Sequence, residues 1–318
     1  MSCIYKGEVI ETELSQNSKG GTEMMRKRLL DNADKDLLGK FAIHFSRPRE
    51  VYMDVPNILY CHDLAEDPEN ECLRNGNWTS FDHFVFVSQW QRDMYIAYYG
   101  IPHSKCTVIP NAIEKPYVPA AEKDTDTIRF IYHTTPHRGL ELLVPIFEAL
   151  AKQYDNIHLD VYSSFSIYGW EQRDKPYQQI FERIAASDHM TYHGAVSNEE
   201  VLNALENSHI FLYPSIWKET SCIALIEAIK SAVLCIHPNY GALSEVGANA
   251  TISYDWHEDK TTHANRAFNV ARQVLDMQNE DSSFISKFTT SDRFNLARNS
   301  INSFANSWNR LLQDLNNE

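Results

Sequence analysis

The chain has 318 residues, 43% apolar and 23% charged, and a formal net charge of -14. That length accommodates two compact domains, and that composition is ordinary for a folded globular protein. The acidic balance argues against a nucleic-acid backbone as partner and against broad adhesion to anionic lipid, while a local basic patch around Arg26, Lys27 and Arg28 stays open.

The six cysteines (Cys3, Cys61, Cys72, Cys106, Cys222, Cys235) form no C-x-x-C pair and no metal-finger spacing. Cys61, Cys222 and Cys235 lie in or beside apolar stretches and read as small buried hydrophobes, in keeping with a reducing cytoplasm. The opening residues MSCIYKGEVIE lack the basic start and apolar core of a signal peptide. No apolar run approaches the roughly 20 residues needed to span a bilayer.

In chain order, Cys3–Tyr5 and Glu8–Ile10 are candidate short strands. A polar loop at 15–21 then opens a helix over Thr22–Leu30, with Thr22 as candidate cap. The Gly20–Gly21 pair at that opening would let backbone approach a ligand, although a plain loop before a helix is the more common explanation of such a pair. Phe41–Phe45 and Asn57–Cys61 read as strands, which places His62 at a strand's carboxyl end, the ligand-facing edge of an α/β sheet. Leu64–Asn75 is an acidic helix or loop, and Asp63, Glu66 and Asp67 fit a solvated face better than a metal site. Phe81–Val87 is a strand ending at Ser88, and Gln89–Tyr99 is helical. Thr107–Pro110 is a short strand running into Asn111. Residues 114–126, with two prolines, many charges and no apolar period, are the best interdomain linker.

The second half alternates more clearly. Strands are expected at Ile128–Tyr132, Ile157–Tyr162, Met190–Tyr192 and His209–Tyr213, with further strands at Val233–Ile236 and Thr251–Tyr254. Helices are expected at Leu140–Gln153, Tyr177–Ala186, from the Ser197/Glu200 capping box through Leu205, and at Thr262–Met277. Residues 292–315 read as one or two helices carrying Trp308, Leu311 and Leu312 on an apolar stripe. The stretch Ser215–Ile236 reads as loop, helix, strand, with the helix beginning near Ser221 or Cys222. It sets Glu219 in the loop and Glu227 about one and a half turns into the helix. Spacing alone fits a surface glutamate and an ordinary amphipathic helix just as well.

Two α/β halves imply a cleft between them, a favoured place for a ligand. The polar groups expected at loop ends are Gly20, Gly21, His62, Ser88 and Asn111 from the first half, and His133, Arg138, Ser163, Glu219 and Glu227 from the second. Arg138 and helix N-termini suit a diphosphate, and carboxylates accept bonds from paired hydroxyls. The set suits a nucleotide sugar. No G-x-x-x-x-G-K-[ST], G-x-G-x-x-G or G-x-S-x-G motif anchors a different reading.

The segments GGTE (Gly20–Glu23), CHD (Cys61–Asp63), VSQWQRDMY (Val87–Tyr95), VIPNAIE (Val108–Glu114), HRGLELL (His137–Leu143), YHGAVSNEEV (Tyr192–Val201) and YPSIWKETSCIALIEA (Tyr213–Ala228) occur in this order. In them the chain resembles a retaining glycosyltransferase of the GT-B fold, from the GT4-like family. The resemblance implies an α/β protein of two Rossmann-like domains facing a central cleft. The acceptor-side domain would be 1–118, shortened, and the donor-binding domain 119–318, with the C-terminal helix packing back on the first.

It also implies roles for residues. Glu219 would contact the donor sugar and Glu227 the nucleotide ribose, as an E-x7-E pair. Backbone N–H groups of Thr220, Ser221 and Cys222 would meet the diphosphate. Gly20 and Gly21 would form the glycine loop, His62 would face the reacting sugar, and Arg138 would hold phosphate. Metal and other cofactors are not implied. The expected partners are a UDP- or GDP-linked sugar and a saccharide or lipid-linked acceptor, without nucleic acid and with peripheral contact to the inner face of a membrane left open.

The chain departs from the family pattern in three respects. His133 stands where an arginine is common, Thr220–Ser221 replaces a glycine, and a clear first strand before the glycine loop is missing. A GT-B epimerase and a nucleotide-sugar-binding protein without catalysis are the competing readings.

Overall fold

The computed structural model describes residues 2–11, 20–48, 50–114, 123, 126–290 and 296–317. Residues 15–19 of the glycine-containing loop, most of the expected linker with the 118/119 boundary, and the start of the C-terminal segment at 292–295 lie outside the described residues. The contacts divide the chain into two compact units. The first comprises Met1–Glu114, Glu219–Ile223 and Ala297–Glu318, and the second Lys115–Lys218 and Ala224–Leu296.

The first unit is built on a six-stranded sheet. Its strands are β1 (Ser2–Tyr5), β2 (Glu8–Glu11), β3 (Ala42–Phe45), β4 (Asn57–Cys61), β5 (His83–Phe86) and β6 (Cys106–Val108), in the order β2-β1-β3-β4-β5-β6. From β3 to β6 the pairs are parallel. The segment before the glycine loop supplies an antiparallel hairpin, with β1 also antiparallel to β3. Lys6 and Gly7 close that hairpin at φ 51° and 81°, the left-handed pair that tight hairpins use.

β4 is buried along its whole length, as its continuous apolar run implies. Its side chains alternate between faces. Ile58 and Tyr60 join one core with Met25, Leu29, Phe304 and Trp308, whereas Leu59 and Cys61 join another with Phe84, Phe86 and Tyr95. The C-terminal helix Ile301–Asn317 thus covers the same face as the helix Gly21–Asn32, and Trp308, Leu311 and Leu312 form the expected stripe. The cap of the helix Gly21–Asn32 is Gly20, not Thr22, which lies one residue inside it. Nor do the three basic residues there form a patch. Arg28 is buried against the Ala112 carbonyl, and Lys27 pairs with Asp31.

The second unit has six strands, all parallel: β7 (Ile128–Tyr132), β8 (Ile157–Val161), β9 (Met190–Tyr192), β10 (Ile210–Leu212), β11 (Leu234–Pro238) and β12 (Ile252–Tyr254). The order β12-β11-β10-β7-β8-β9 runs outward in both directions from the neighbours β7 and β10. That pair is a topological switch point, where loops leave in opposite directions and expose a crevice at the strand ends. Ser197 and Glu200 form the expected capping box at the helix Asn198–Asn207. A short helix at Phe284–Thr289 was not anticipated; it spans six residues, too short to show a helical period. Both units are therefore Rossmann-like α/β folds.

Candidate functional site

In the first unit the site is assembled at the carboxyl end of β4. His62 follows the strand directly, and its ring packs against Tyr60 with centroids 4.2 Å apart. Both ring nitrogens are shielded from solvent without a hydrogen-bond partner among the described residues. Burial pushes its pKa down to about 3 against the opposing pull of the Tyr60 backbone, so the ring is neutral near pH 7.

The segment Glu219–Ile223 is held beside this strand end. The Thr220 hydroxyl donates to the His62 carbonyl at 2.7 Å, and the Ser88 hydroxyl donates to the Thr220 carbonyl at 2.7 Å. Ser88 is also the N-cap of the helix Gln89–Tyr99, accepting from Gln91 N at 3.0 Å. Glu219 is buried at 2% exposure and Cys222 at 4%. Gly21 touches the same segment. A Cβ there would stand 2.9 Å from Ile223 Cδ1, so glycine leaves room for that side chain. The expected members Gly20, Gly21, His62, Glu219, Thr220, Ser221 and Cys222 thus fall in one unit.

Sequence reasoning missed the residue that braces this end. Gln91 is fully buried. Its Oε1 accepts from Val87 N at 3.0 Å, and its Nε2 donates to the Asp63 carbonyl at 2.8 Å. Tyr95 donates to the same carbonyl at 3.3 Å. The V-S-Q-W-Q-R-D-M-Y segment is therefore a bracket for His62–Asp63, and its polar residues at positions 88, 91 and 95 on one helix were the available signal. Asn111 is buried with Oδ1 unpartnered among the described residues, while its carbonyl accepts from Asn299 Nδ2 at 2.7 Å.

In the second unit Arg138 sits at the switch point. Its backbone carbonyl accepts from Ile216 N at 3.1 Å, its Nε donates to Thr135 Oγ1 at 3.2 Å, and its guanidinium lies 5.8 Å from the Trp217 ring centre. Gly139 makes this possible. It adopts φ 134°, and a Cβ would stand 2.3 Å from the Pro214 carbonyl oxygen. His137 packs edge-on to Trp217 at 4.9 Å, and burial pushes it down to about 4.

His133 does not take the place of an arginine. Its Nε2 bonds the Ala224 carbonyl at 3.1 Å, and burial pushes its pKa down to about 4. It is a neutral strut between β7 and the helix Ile223–Lys230, and carries no charge to phosphate at neutral pH. Glu227 is buried at 4% in that helix, one turn from its start, and Oε1 accepts from Asn198 Nδ2 at 3.0 Å. Ser163 is buried with its hydroxyl unpartnered among the described residues. Among the described residues no cluster of three or more His, Cys, Asp or Glu side chains is arranged to hold a metal. None of their helices is long and apolar enough to cross a membrane.

Two Rossmann-like units with polar groups at their strand ends place the chain among the α/β proteins whose ligand sites lie at the carboxyl ends of parallel strands. Residues 113–286 match the family described as glycosyl transferases group 1, and residues 25–115 match glycosyltransferase family 4. The chain therefore belongs to the glycosyl transferases group 1 family. It is 27% identical over 169 residues to one component of the phosphatidylinositol N-acetylglucosaminyltransferase of Arabidopsis thaliana, a match spanning 52% of this chain and 36% of that protein. The chain thus spans only about a third of the length of the curated relatives it matches. The crystal structure of TarM is similar at TM-score 0.63 and 14% identity, over 96% of this chain and 59% of that one. Anabaena Alr3699/HepE in complex with UDP-glucose is similar at TM-score 0.60 and 13% identity, over 82% and 72%.

Proposed function

We propose that this protein transfers a hexosyl group from a nucleoside diphosphate sugar to a hydroxyl of a saccharide or lipid-linked acceptor, with retention at the anomeric carbon. The reading rests chiefly on one observation, the tie between the Thr220 hydroxyl and the His62 carbonyl. It joins the loop of the E-x7-E segment to the strand end that carries the histidine. Glu219 accepts hydrogen bonds from sugar hydroxyls, and Glu227, steadied by Asn198, accepts them from the ribose. The N–H groups of Thr220, Ser221 and Cys222 and the guanidinium of Arg138 receive the diphosphate.

In the reaction the bond from the anomeric carbon to the diphosphate oxygen breaks. The acceptor oxygen bonds that carbon on the same face, and its proton passes to the departing phosphate oxygen. Arg138 and the loop N–H groups stabilise the charge that develops on the leaving group. Neutral His62 donates or accepts one hydrogen bond to the sugar and adds no charge. The similar HepE structure holds UDP-glucose, which favours a UDP-linked donor over a GDP-linked one. The Arabidopsis relative belongs by name to a phosphatidylinositol N-acetylglucosaminyltransferase, which favours an N-acetylhexosamine donor and a lipid-linked acceptor. No metal takes part in this scheme, and contact with a membrane surface would accompany a lipid-linked acceptor.

One observation favours a second reading, a nucleotide-sugar-binding protein without turnover. His133 is a neutral strut, so the two-cation phosphate clamp of the pattern is reduced to Arg138. Incubation with UDP- and GDP-sugars separates the two. Release of nucleoside diphosphate with a labelled acceptor supports transfer; binding without release, by thermal shift, supports the second reading.

A further inference from the structure

The loop leaving β3 has no role in the scheme above, and it is the most strained backbone near His62. β3 and β4 pair in parallel with Phe45 opposite Tyr60, and Ser46 N donates to the Tyr60 carbonyl at 2.9 Å. In a regular parallel ladder the next bond would run from His62 N–H to the Ser46 carbonyl. That bond is replaced. Ser46 and Arg47 turn into the left-handed region at φ 51° and 30°, and His62 N–H donates instead to Ser46 Oγ at 2.9 Å.

The neighbouring residue completes the corner. Arg47 Nε donates to Asp63 Oδ2 at 2.8 Å, while its Nη2 reaches Asp63 Oδ1 at 3.4 Å and Asp67 Oδ2 at 3.3 Å. Burial pushes the Asp63 carboxyl up, and the Arg47 charge and the Ser46 hydroxyl pull it back. Consecutive non-glycine residues with positive φ are uncommon and persist where their surroundings over-determine them. Here the side chains of both residues are spent on His62 and Asp63.

We propose that Ser46 and Arg47 are positioning residues, and that their left-handed corner sets the orientation of His62 towards the donor sugar. This rests on the reading of His62 given above. The corner ends the ladder one residue early, and the Ser46 hydroxyl then fixes the His62 amide in a path the regular sheet would not give it. Gln91 and Tyr95 fix the Asp63 carbonyl from the other side. His62 is thus held through its backbone and by the packing of its ring on Tyr60, and both ring nitrogens stay without a hydrogen-bond partner among the described residues.

The test is Ser46→Gly, which removes the hydroxyl and accepts the positive φ without strain. The expected result is an unchanged or higher melting temperature, faster hydrogen exchange at the His62 amide, and kcat for nucleoside diphosphate release lower by about tenfold with donor KM unchanged, as a small misplacement produces. In a His62→Ala background the same substitution should leave kcat unaltered, because the group it positions is gone. An unchanged kcat in Ser46→Gly, or an equal loss in both backgrounds, overturns the proposal. Wild-type turnover by His62→Ala alone would instead overturn the role of His62, and the amide exchange would still report whether Ser46 holds it. If Ser46→Gly does not fold, Arg47→Lys, which keeps the charge and loses the fork on Asp63, should give the same pattern at smaller size. Additive losses with His62→Ala would overturn the proposal there too.

Discussion

The Thr220 hydroxyl donates to the His62 carbonyl at 2.7 Å, although the two residues are 158 positions apart in the chain. The contact fixes the residue after Glu219 to the residue that follows β4. Two features that looked independent along the chain, a strand-end histidine and a paired-glutamate loop, thereby become one structural object.

Replacing Thr220 by Val keeps the shape and removes the donor. Stability should fall by about 1 kcal/mol, the usual net value of one hydrogen bond. The kcat should fall by about tenfold, from the loosened loop. Urea denaturation and nucleoside diphosphate release measure the two. Full activity in Thr220→Val would mean that the tie is structural only.

Gln91 bridges Val87 N and the Asp63 carbonyl inside the protein. Gln91→Leu leaves Val87 N buried and unpaired, at about 1–3 kcal/mol, and leaves the Asp63 carbonyl with only the longer bond from Tyr95. A destabilisation of about 1–4 kcal/mol should appear as a lower urea midpoint at unchanged slope. A loss below about 1 kcal/mol would show that water takes over both bonds.

Gly139→Ala places a Cβ 2.3 Å from the Pro214 carbonyl oxygen at φ 134°. The backbone must shift, and it carries Arg138 with it. A cost above about 2 kcal/mol is predicted for so strained a position, together with weaker binding of UDP or GDP. Isothermal titration with the free nucleotides checks the second part.

Several histidines set the acid limit. The pKa values of His62, His133 and His137 are held near 3, 4 and 4 by burial, below the ordinary value of 6.5. Above about pH 6.5 the folded and unfolded chains are both neutral at these sites, and no stability depends on them. As pH falls towards 3–4 the unfolded chain gains protons that the folded one refuses, so stability is lost. Melting temperature should therefore fall steadily from pH 6.5 to 4, and less steeply in His133→Gln. The rate profile between pH 5 and 8 should show no step assignable to His62.

Much of this architecture could be read along the chain, for identifiable reasons. β4 and β7 are short apolar runs bounded by polar residues, and the capping box at Ser197 is a local pattern. His62 stood out because a strand ended on it. The rest depends on partners far away in sequence. Nothing local in Ser46–Arg47 announces a left-handed corner, since neither residue is glycine or asparagine. Gln91 looks like a surface helix residue until Asp63 is seen beside it. His133 stands where an arginine is common, and only the Ala224 carbonyl reveals a neutral strut.

Transfer by this protein is tested by nucleoside diphosphate release from a panel of UDP- and GDP-sugars by the wild type and by Glu219→Ala, with melting temperatures recorded alongside. The wild type should release nucleoside diphosphate from at least one donor, and the variant should lose about a hundredfold or more at a similar melting temperature, because the carboxylate is used in the transition state. Turnover by Glu219→Ala equal to the wild type would contradict it.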